Sequence, residues 1–245
     1  MDSRRIAFFS DIHGNLEALK AVVADMDEKG VQEKLCLGDI VGYGPDPAKC
    51  LEVVRELGCP IVQGNHDHSC IESNEDPSFN TYAKAGLEHT RKQLTDAQKE
   101  FLIHLPMKIE GDGFTVVHAS LYDKEPWFYI CDKNDVACHF DNQVQPVCFC
   151  GHTHKPTVWR QTKDKVQELP ATPPFTLDNN SKYLINVGSV GQSRTLNPDA
   201  CYVIFDTIAR KIEYRFVPYD FKKTQKKIIR AGLPRYLAQR LALGR

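Results

Sequence analysis

The sequence predicts an α/β fold, a four-layer α/β/β/α sandwich in which two mixed sheets lie face to face with helices outside. Three observations lead there. Short apolar runs alternate with helical patterns over residues 6–62, and from Met107 onward strand patterns follow one another with few long helices between them. Polar blocks rich in Asp, Asn and His follow directly on several of the apolar runs, as side chains released at strand ends would.

Ile6–Ser10 is the first apolar run. Behind it Leu16, Leu19, Val22, Val23 and Met26 recur at helical spacing. Leu35–Leu37 reads as a second strand, 47–57 as a second helix with Val53, Val54 and Leu57 on one side, and Ile61–Val62 as a third strand. Alternation at this pace implies βαβ units and a mainly parallel start to the sheet. In such sheets function sits beyond the carboxyl ends of the strands, which is where Asp11, Asp39 and Asn65 fall.

Residues 68–106 are polar with helical phasing and read as a helical insertion over one face. Within them Thr95-Asp96-Ala97-Gln98 is a capping box opening a helix that ends near Pro106. Strands are then expected at 107–110, 113–118, 146–150, 156–160, 165–168, 183–187, 201–206 and 211–217, forming a second, more antiparallel sheet. Residues 1–219 read as the main domain. Residues 220–245 read as a basic amphipathic extension packed on it, with Ile229, Leu233, Leu237 and Leu241 on one side and a break near Gly232-Leu233-Pro234.

At 245 residues the chain is long enough to bury a sizeable core. With 42% hydrophobic and 26% charged residues it is neither disordered nor fibrous. A net charge of −1 favours no partner, but the basic residues are unevenly spread. Lys222, Lys223, Lys226, Lys227, Arg230, Arg235, Arg240 and Arg245 crowd the last stretch against the single acid Asp220. Docking on the domain with a solvated charged face is the favoured reading of that stretch; anionic lipid, nucleic acid or a second copy of the chain are the other partners it suits. The nine cysteines include no paired CxxC, which excludes a thiolate zinc site and suits a reducing compartment. The start lacks the apolar core of a signal peptide, and the longest apolar runs fall far short of a membrane span. A cytoplasmic protein without a transmembrane segment is expected.

The blocks are Asp11-Ile12-His13, Gly38-Asp39, Gly64-Asn65-His66-Asp67, Val117-His118-Ala119-Ser120 and Gly151-His152-Thr153-His154. Asp11 and His13, two apart at a strand end, leave the chain on the same side. Asp39 stands in a tight glycine-flanked turn, and its two carboxylate oxygens can bridge two cations. Asn65 adds a carbonyl oxygen; His118, His152 and His154 add ring nitrogens. Such mixed oxygen and nitrogen donors suit Mn²⁺, Fe or Zn²⁺ and argue against Ca²⁺. Two cations about 3.5–4 Å apart clamp a phosphate and lower the pKa of a bridging water. His66, beside Asn65, is placed to be the acid for the leaving group, with Asp67 next to it to orient its ring.

In order and spacing these blocks resemble the signature of the calcineurin-like metallophosphoesterase superfamily. The longer forms Ser10-Asp-Ile-His-Gly-Asn-Leu16, Gly38-Asp-Ile-Val-Gly-Tyr-Gly-Pro45 and Asn186-Val-Gly-Ser-Val-Gly191 look like its small bacterial and archaeal phosphodiesterase branch. The resemblance covers roughly residues 5–217. It implies two divalent metal ions, Mn²⁺ first and Fe, Zn²⁺ or Ni²⁺ as alternatives. Asp11, His13 and His154 would hold one, Asn65, His118 and His152 the other, and Asp39 would bridge. His66 would be the acid that binds no metal. The implied reaction is hydrolysis of phosphodiesters, with some phosphomonoesters, by attack of a metal-bridging hydroxide on a small phosphate ester or nucleotide.

Of two departures from the family pattern, one bears on substrate. The protein Ser/Thr phosphatase branch continues Gly-Asp into Asp-Arg-Gly, whose Arg grips the phosphate; here Gly42-Tyr43-Gly44 stands instead, which favours a diester. Ala119 stands where Gly often follows the His, a small change. A protein or nucleotide phosphomonoesterase is the alternative. A non-catalytic scaffold on the same fold, as in the retromer subunit of this superfamily, is a second; His66 counts against it. Among the remaining residues His68 reads as solvent-exposed, and His89, His104 and His139 as ordinary helix residues. Trp127-Phe128-Tyr129 reads as core packing in preference to an aromatic wall for the substrate. Arg194 reads either as a substitute for the missing Arg or as part of a surface turn.

Overall fold

The structure is a computed structural model and describes residues 4–72, 79–122, 127–163 and 165–245. Its first strand, β1 (Arg5–Phe9), is buried on both faces, with Ala7 and Phe9 turned to one side and Ile6 and Phe8 to the other. Helix α1 (Leu16–Glu28) is capped by the Asn15 side chain, which accepts from the Ala18 amide, and buries Leu16, Leu19, Val22 and Met26. β2 (Glu33–Cys36) then pairs parallel with β1, and α2 (Pro47–Glu56) starts with a proline, whose missing N–H costs nothing in a first turn.

The expected third strand is reduced to one bridge, Ile61 beside Cys36, with the Val62 amide donating to the Cys36 carbonyl at 3.0 Å. Pro60 precedes this run, and only Gln63 and Gly64 separate it from α3 (Asn65–Ser69), so there is no length for a ladder. Helices α4 (Thr81–Gln93) and α5 (Asp96–Ile103) occupy the expected helical stretch, and the Thr95–Gln98 capping box is present in both directions. Beyond them come β3 (Lys108–Gly111), β4 (Phe114–Val117), α6 (Lys133–Asn142), β5 (Val147–Cys150), β6 (Thr157–Gln161), β7 (Val166–Leu169), β8 (Phe175–Thr176), β9 (Lys182–Asn186), β10 (Ala200–Asp206) and β11 (Lys211–Val217), then α7 (Phe221–Arg230) and α8 (Arg235–Leu243).

One sheet has the order β2-β1-β10-β11-β8 and the other β3-β4-β5-β9-β6-β7. The late strands therefore do not all make a second sheet: β10 and β11 return to pair antiparallel beside β1. The second sheet is mixed, because β4, β5 and β9 run parallel to one another. Alternation of apolar residues identifies these strands, but a β-strand's pattern carries no record of which neighbour it will take.

Between the sheets lies a core of Ile6, Phe8, Leu35, Val116, Phe149, Ile185 and Val203, with Phe8 stacked on Phe149 at 3.8 Å between ring centroids. Outside the first sheet, α1 and α2 close over Phe9, Cys36 and Ile204. Outside the second, Val136 and Phe140 of α6 cover Cys148 and Leu184. These are the four expected layers. The basic stretch forms α7 and α8, interrupted at Gly232 (φ +72°), and buries Ile228, Leu233, Leu237 and Leu241 around Tyr43. Lys227 anchors it through Glu17 at 2.6 Å and Asp46 at 2.7 Å. Ile229, expected on the apolar side, is instead 46% exposed.

Candidate metal centre

The polar blocks meet at one edge of the two sheets because each strand breaks sharply there. Asp11 (φ +55°), His13 (+48°), Asp39 (+53°), His152 (+66°) and His154 (+61°) all take left-handed backbone, which is uncommon outside glycine and tolerated best by Asn, Asp and His. The breaks support one another through the backbone. The Asp11 amide donates to the Gly38 carbonyl at 3.1 Å, His13 to Asp39 at 2.9 Å, Gly151 to His118 at 2.8 Å and Gly191 to Asp11 at 2.9 Å.

Each aspartate divides its two oxygens between structure and site. Asp11 Oδ2 accepts from the His152 amide at 3.0 Å, and its Oδ1 has no hydrogen-bond partner. Asp39 Oδ1 accepts from the His66 amide at 2.8 Å, and its Oδ2 lies 3.6 Å from His13 Nε2 and 3.4 Å from His118 Nε2. The imidazoles are held in the same manner. His13 Nδ1 lies 3.1 Å from the Val41 carbonyl, His118 Nδ1 2.7 Å from that of Leu37 and His154 Nδ1 2.7 Å from that of Gln192. A carbonyl only accepts, so each Nδ1 carries a proton and each ring turns its Nε2 inward, where the neutral form offers a lone pair.

Two donor clusters result. Asp11, His13 and His154 converge in one, with the two Nε2 atoms 3.1 Å apart and Asp11 Oδ1 3.3 Å from that of His154. Asp39, His118 and His152 converge in the other, where Asn65 Oδ1 stands 3.2 Å from His118 Nε2 and 3.0 Å from His152 Nδ1. Asp39 reaches both, and with His13 and His66 it forms a third trio. All seven residues singled out as ligands, and His66, are therefore brought together, and all are buried. Lone pairs facing one another at these distances repel, whereas a cation between them turns every contact favourable. The donor set fits divalent metal ions.

Electrostatics follow from the crowding. Burial pushes Asp11 up to about 7, opposed by His118 and reinforced by Asp39. Burial would raise Asp39 too, but His118, His66 and His13 outweigh it and hold its carboxyl well below the usual range. For His118, burial favours the neutral ring, yet facing Asp39 it is pushed up to about 9. His66 is pushed down to about 4 by burial, with His118 and Arg194 adding to the effect and Asp39 opposing it.

The His66 ring sits 4.6 Å from Tyr43, 4.8 Å from His13 and 4.8 Å from Phe79, and its Nδ1 has no hydrogen-bond partner. Gly42 (φ +90°) makes this possible, since a Cβ there would collide with the ring. Asp67 does not orient His66. Its carboxylate accepts from the amides of Ile40 (2.9 Å), Val41 (3.2 Å) and Gly64 (3.1 Å), and so fixes the turn that carries Asp39. A carboxylate beside three converging backbone donors satisfies them in preference to one neighbouring ring.

The aromatic run is also placed differently from the core packing expected for it. Tyr129 is 48% exposed with its ring 3.9 Å from that of His152, and Trp127 lies 6.0 Å from the ring of His118, so the two line the site. His68 is partly exposed and pairs with Glu72. His139, on α6, accepts from the Leu121 amide at 3.1 Å and steadies the loop after His118. The block at Asn186–Gly191 acts from behind the two clusters: Ser189 Oγ donates to the Asp11 carbonyl at 2.9 Å, and Asn186 donates to that of Gly151. Gln192, which orients His154, had no signal in the sequence beyond its place after that block.

No described helix is long and apolar enough to cross a membrane. The model of the calcineurin-like phosphoesterase superfamily domain matches residues 5–210. An uncharacterized protein of Methanocaldococcus jannaschii is 40% identical over 245 residues, covering 98% of each chain. A metallophosphoesterase from Sphaerobacter thermophilus superposes with a TM-score of 0.86 at 36% identity, over 100% of both chains. A hypothetical protein from Pyrococcus horikoshii, at 19% identity and 98% coverage of each chain, shares the fold with a TM-score of 0.79. This chain belongs to the calcineurin-like phosphoesterase superfamily, a family of hydrolases of phosphate esters that generally bind divalent metals.

Proposed function

We propose that the protein is a binuclear-metal hydrolase of phosphodiesters with some action on phosphomonoesters. The observation that carries the binuclear reading is Asp39 Oδ2, within 3.6 Å of a nitrogen of each cluster. Asp11, His13 and His154 would hold one ion, Asn65, His118 and His152 the other, with Asp39 between; Mn²⁺ suits the donors best. Such a pair of ions supplies positive charge to the attacking and leaving oxygens of an in-line displacement. The residues around it set the rest. Val41, Leu37 and Gln192 keep three imidazoles in the tautomer that offers Nε2. His66, packed beside Tyr43 and His13, would exchange a proton with the leaving oxygen, and a bound phosphate reverses the local field that keeps the ring neutral.

The diester preference is supported by space on both sides of the centre. One cleft of about 390 Å³ opens by His118 and Trp127, and another of about 400 Å³ by Tyr129, Thr153 and Arg194. A diester has a substituent for each, whereas a monoester leaves one empty. The monoesterase reading draws on Arg194, which stands near the cluster and would favour a doubly charged phosphate. Initial rates on bis(p-nitrophenyl) phosphate and p-nitrophenyl phosphate with Mn²⁺ decide between them. Faster turnover of the diester is expected; faster turnover of the monoester overturns the preference, and no metal-dependent hydrolysis of either overturns the function.

A further inference from the structure

The cleft of about 390 Å³ beside His118 is built from segments distant in the chain. Met107, between α5 and β3, contributes a side chain that is 43% exposed. Trp127, in the loop after β4, contributes a half-buried indole. Among the described residues neither joins the apolar clusters of the core. The ring neighbours of Trp127 are the imidazoles of His118 and His68, each 6.0 Å away between centroids. The indole is nevertheless held in place. Tyr122 and Phe128, on either side of it in the chain, pack ring to ring at 4.9 Å. The Tyr122 amide donates to Ser120 Oγ at 3.0 Å, and the Leu121 amide to His139 Nδ1 at 3.1 Å. Apolar surface that is fixed in position yet left uncovered beside a candidate catalytic centre marks a place for a ligand.

The rest of the lining indicates which kind. Val117 and Leu121 add apolar surface, whereas Lys108, Ser120 and Asn142 add polar groups. Asn142 Nδ2 donates to the Cys138 carbonyl at 2.9 Å, which leaves its Oδ1 to accept. An acyl chain would leave these polar groups unpaired. A nucleobase uses both kinds of surface, since its flat faces stack on an aromatic ring and its edge exchanges hydrogen bonds. The unbranched thioether of Met107 adapts to the face of such a ring. The volume also falls in the range of small-ligand sites, roughly 300–1,000 Å³.

We propose that Trp127 and Met107 form the wall of a nucleobase subsite beside His118, so that one ester group of the substrate is a nucleoside. This rests on the phosphoesterase reading for the word substrate, though not for the stacking itself. The aromatic run then divides its tasks. Trp127 sets specificity, Phe128 fixes the loop against Tyr122, and Tyr129 bounds the opposite cleft.

The test is calorimetric titration of the Mn²⁺-loaded full chain with the 5′-phosphonates of adenosine and of ribose. Each has a methylene group in place of the bridging oxygen and cannot be hydrolysed. The adenosine compound is expected to bind about ten-fold tighter, a factor that one base stacked on one aromatic ring supplies. Trp127→Ala should remove most of that difference, and Trp127→Phe, which keeps an aromatic face, should recover part of it. The affinity of the ribose compound should stay unchanged in both. Equal binding of the two ligands by the native chain overturns the subsite. So does a difference that survives in Trp127→Ala, or a loss that Trp127→Phe fails to recover. Met107→Ala, at an exposed position on the other segment, should lower the same difference and remains informative if Trp127→Ala unfolds. Rates on methyl p-nitrophenyl phosphate and on the p-nitrophenyl ester of thymidine 5′-phosphate separate the two ideas. A preference lost in Trp127→Ala, with no metal-dependent hydrolysis of either ester, refutes the phosphoesterase reading and leaves the subsite standing. Hydrolysis of both esters with equal binding of the two phosphonates refutes the subsite alone.

Discussion

Replacing Asp67 tests whether its carboxylate serves the Asp39 turn or the His66 ring. Its oxygens accept from three backbone amides, those of Ile40, Val41 and Gly64, and the side chain is fully buried. Asp67→Ala leaves three buried donors unpaired, at about 1–3 kcal/mol each. Water entering the space and relief of a buried charge reduce the sum, so a net loss of about 3–4 kcal/mol is expected. For a chain of this size that lowers Tm by about 6–16 °C. Asp67→Asn keeps an acceptor for Ile40 and Val41 but turns an amide towards the Gly64 N–H, and should cost about 1–2 kcal/mol.

Because the turn positions Asp39, both variants should also bind Mn²⁺ about 10–100-fold more weakly. Thermal unfolding and metal titration give these quantities independently of turnover. If Asp67→Asn retains full stability and metal affinity while its pH–rate profile moves, the carboxylate acts on His66 and the assignment made from the three amides is wrong.

Chelation should abolish hydrolysis and lower Tm, since metal binds only the assembled donors; a melting curve unchanged by chelator and by Mn²⁺ would refute the site. His66→Ala should lower kcat by about 10²–10⁴-fold with metal content unchanged, and an unaltered kcat removes it as the acid. Gly42→Ala places a methyl group against the His66 ring at a φ of +90° and should reduce kcat more than metal affinity, as rates and metal analysis would show. Lys227→Met should cost about 1 kcal/mol in urea unfolding at pH 7, discounted for partial exposure. Burial alone would raise Glu17, but Lys227 and Lys223 outweigh it and lower its pKa. That contribution is present above the ordinary carboxylate value and lost as pH falls through the folded value, so the cost of Lys227→Met should shrink in acid. An equal cost at both pH values rules the ion pair out as its source.

The proposed ligands were legible because metal chemistry restricts residue type and because each block sits directly behind an apolar run. Asp11, His13, Asp39 and the His152/His154 pair need only local sequence to be noticed; β1 and β2 are parallel neighbours, while β5 brings its histidine pair from the facing sheet. What was not legible depends on contacts distant in the chain. Nothing near Asp67 says that the Ile40 and Val41 amides will arrive 27 and 26 residues away in sequence to claim its oxygens. Nothing near Tyr129 says that His152 will lie beneath its ring. The return of β10 to β1 is of the same kind: apolar alternation marks a strand, while its partner is chosen by the packing of the whole chain.

The same distinction bears on how the site is built. Five of the proposed ligands sit in left-handed backbone, each at a cost of about 1–3 kcal/mol, and metal is not what holds them there. Ser10 and Asp11 accept from Val190 and Gly191, Asp39 and Ile40 accept from His13 and Gly14, and His118 accepts from Gly151, all through main-chain atoms at 2.8–2.9 Å. The strained turns are stitched to one another by hydrogen bonds that do not involve the metal-facing atoms. Removing metal therefore leaves repulsion among Nε2 lone pairs and carboxylate oxygens but no missing backbone support. The metal-free chain should keep its amide hydrogen-exchange protection at Asp11, His13 and Gly151 even as its global stability falls. Loss of protection at those amides on chelation would mean that metal, and not the backbone, holds the turns.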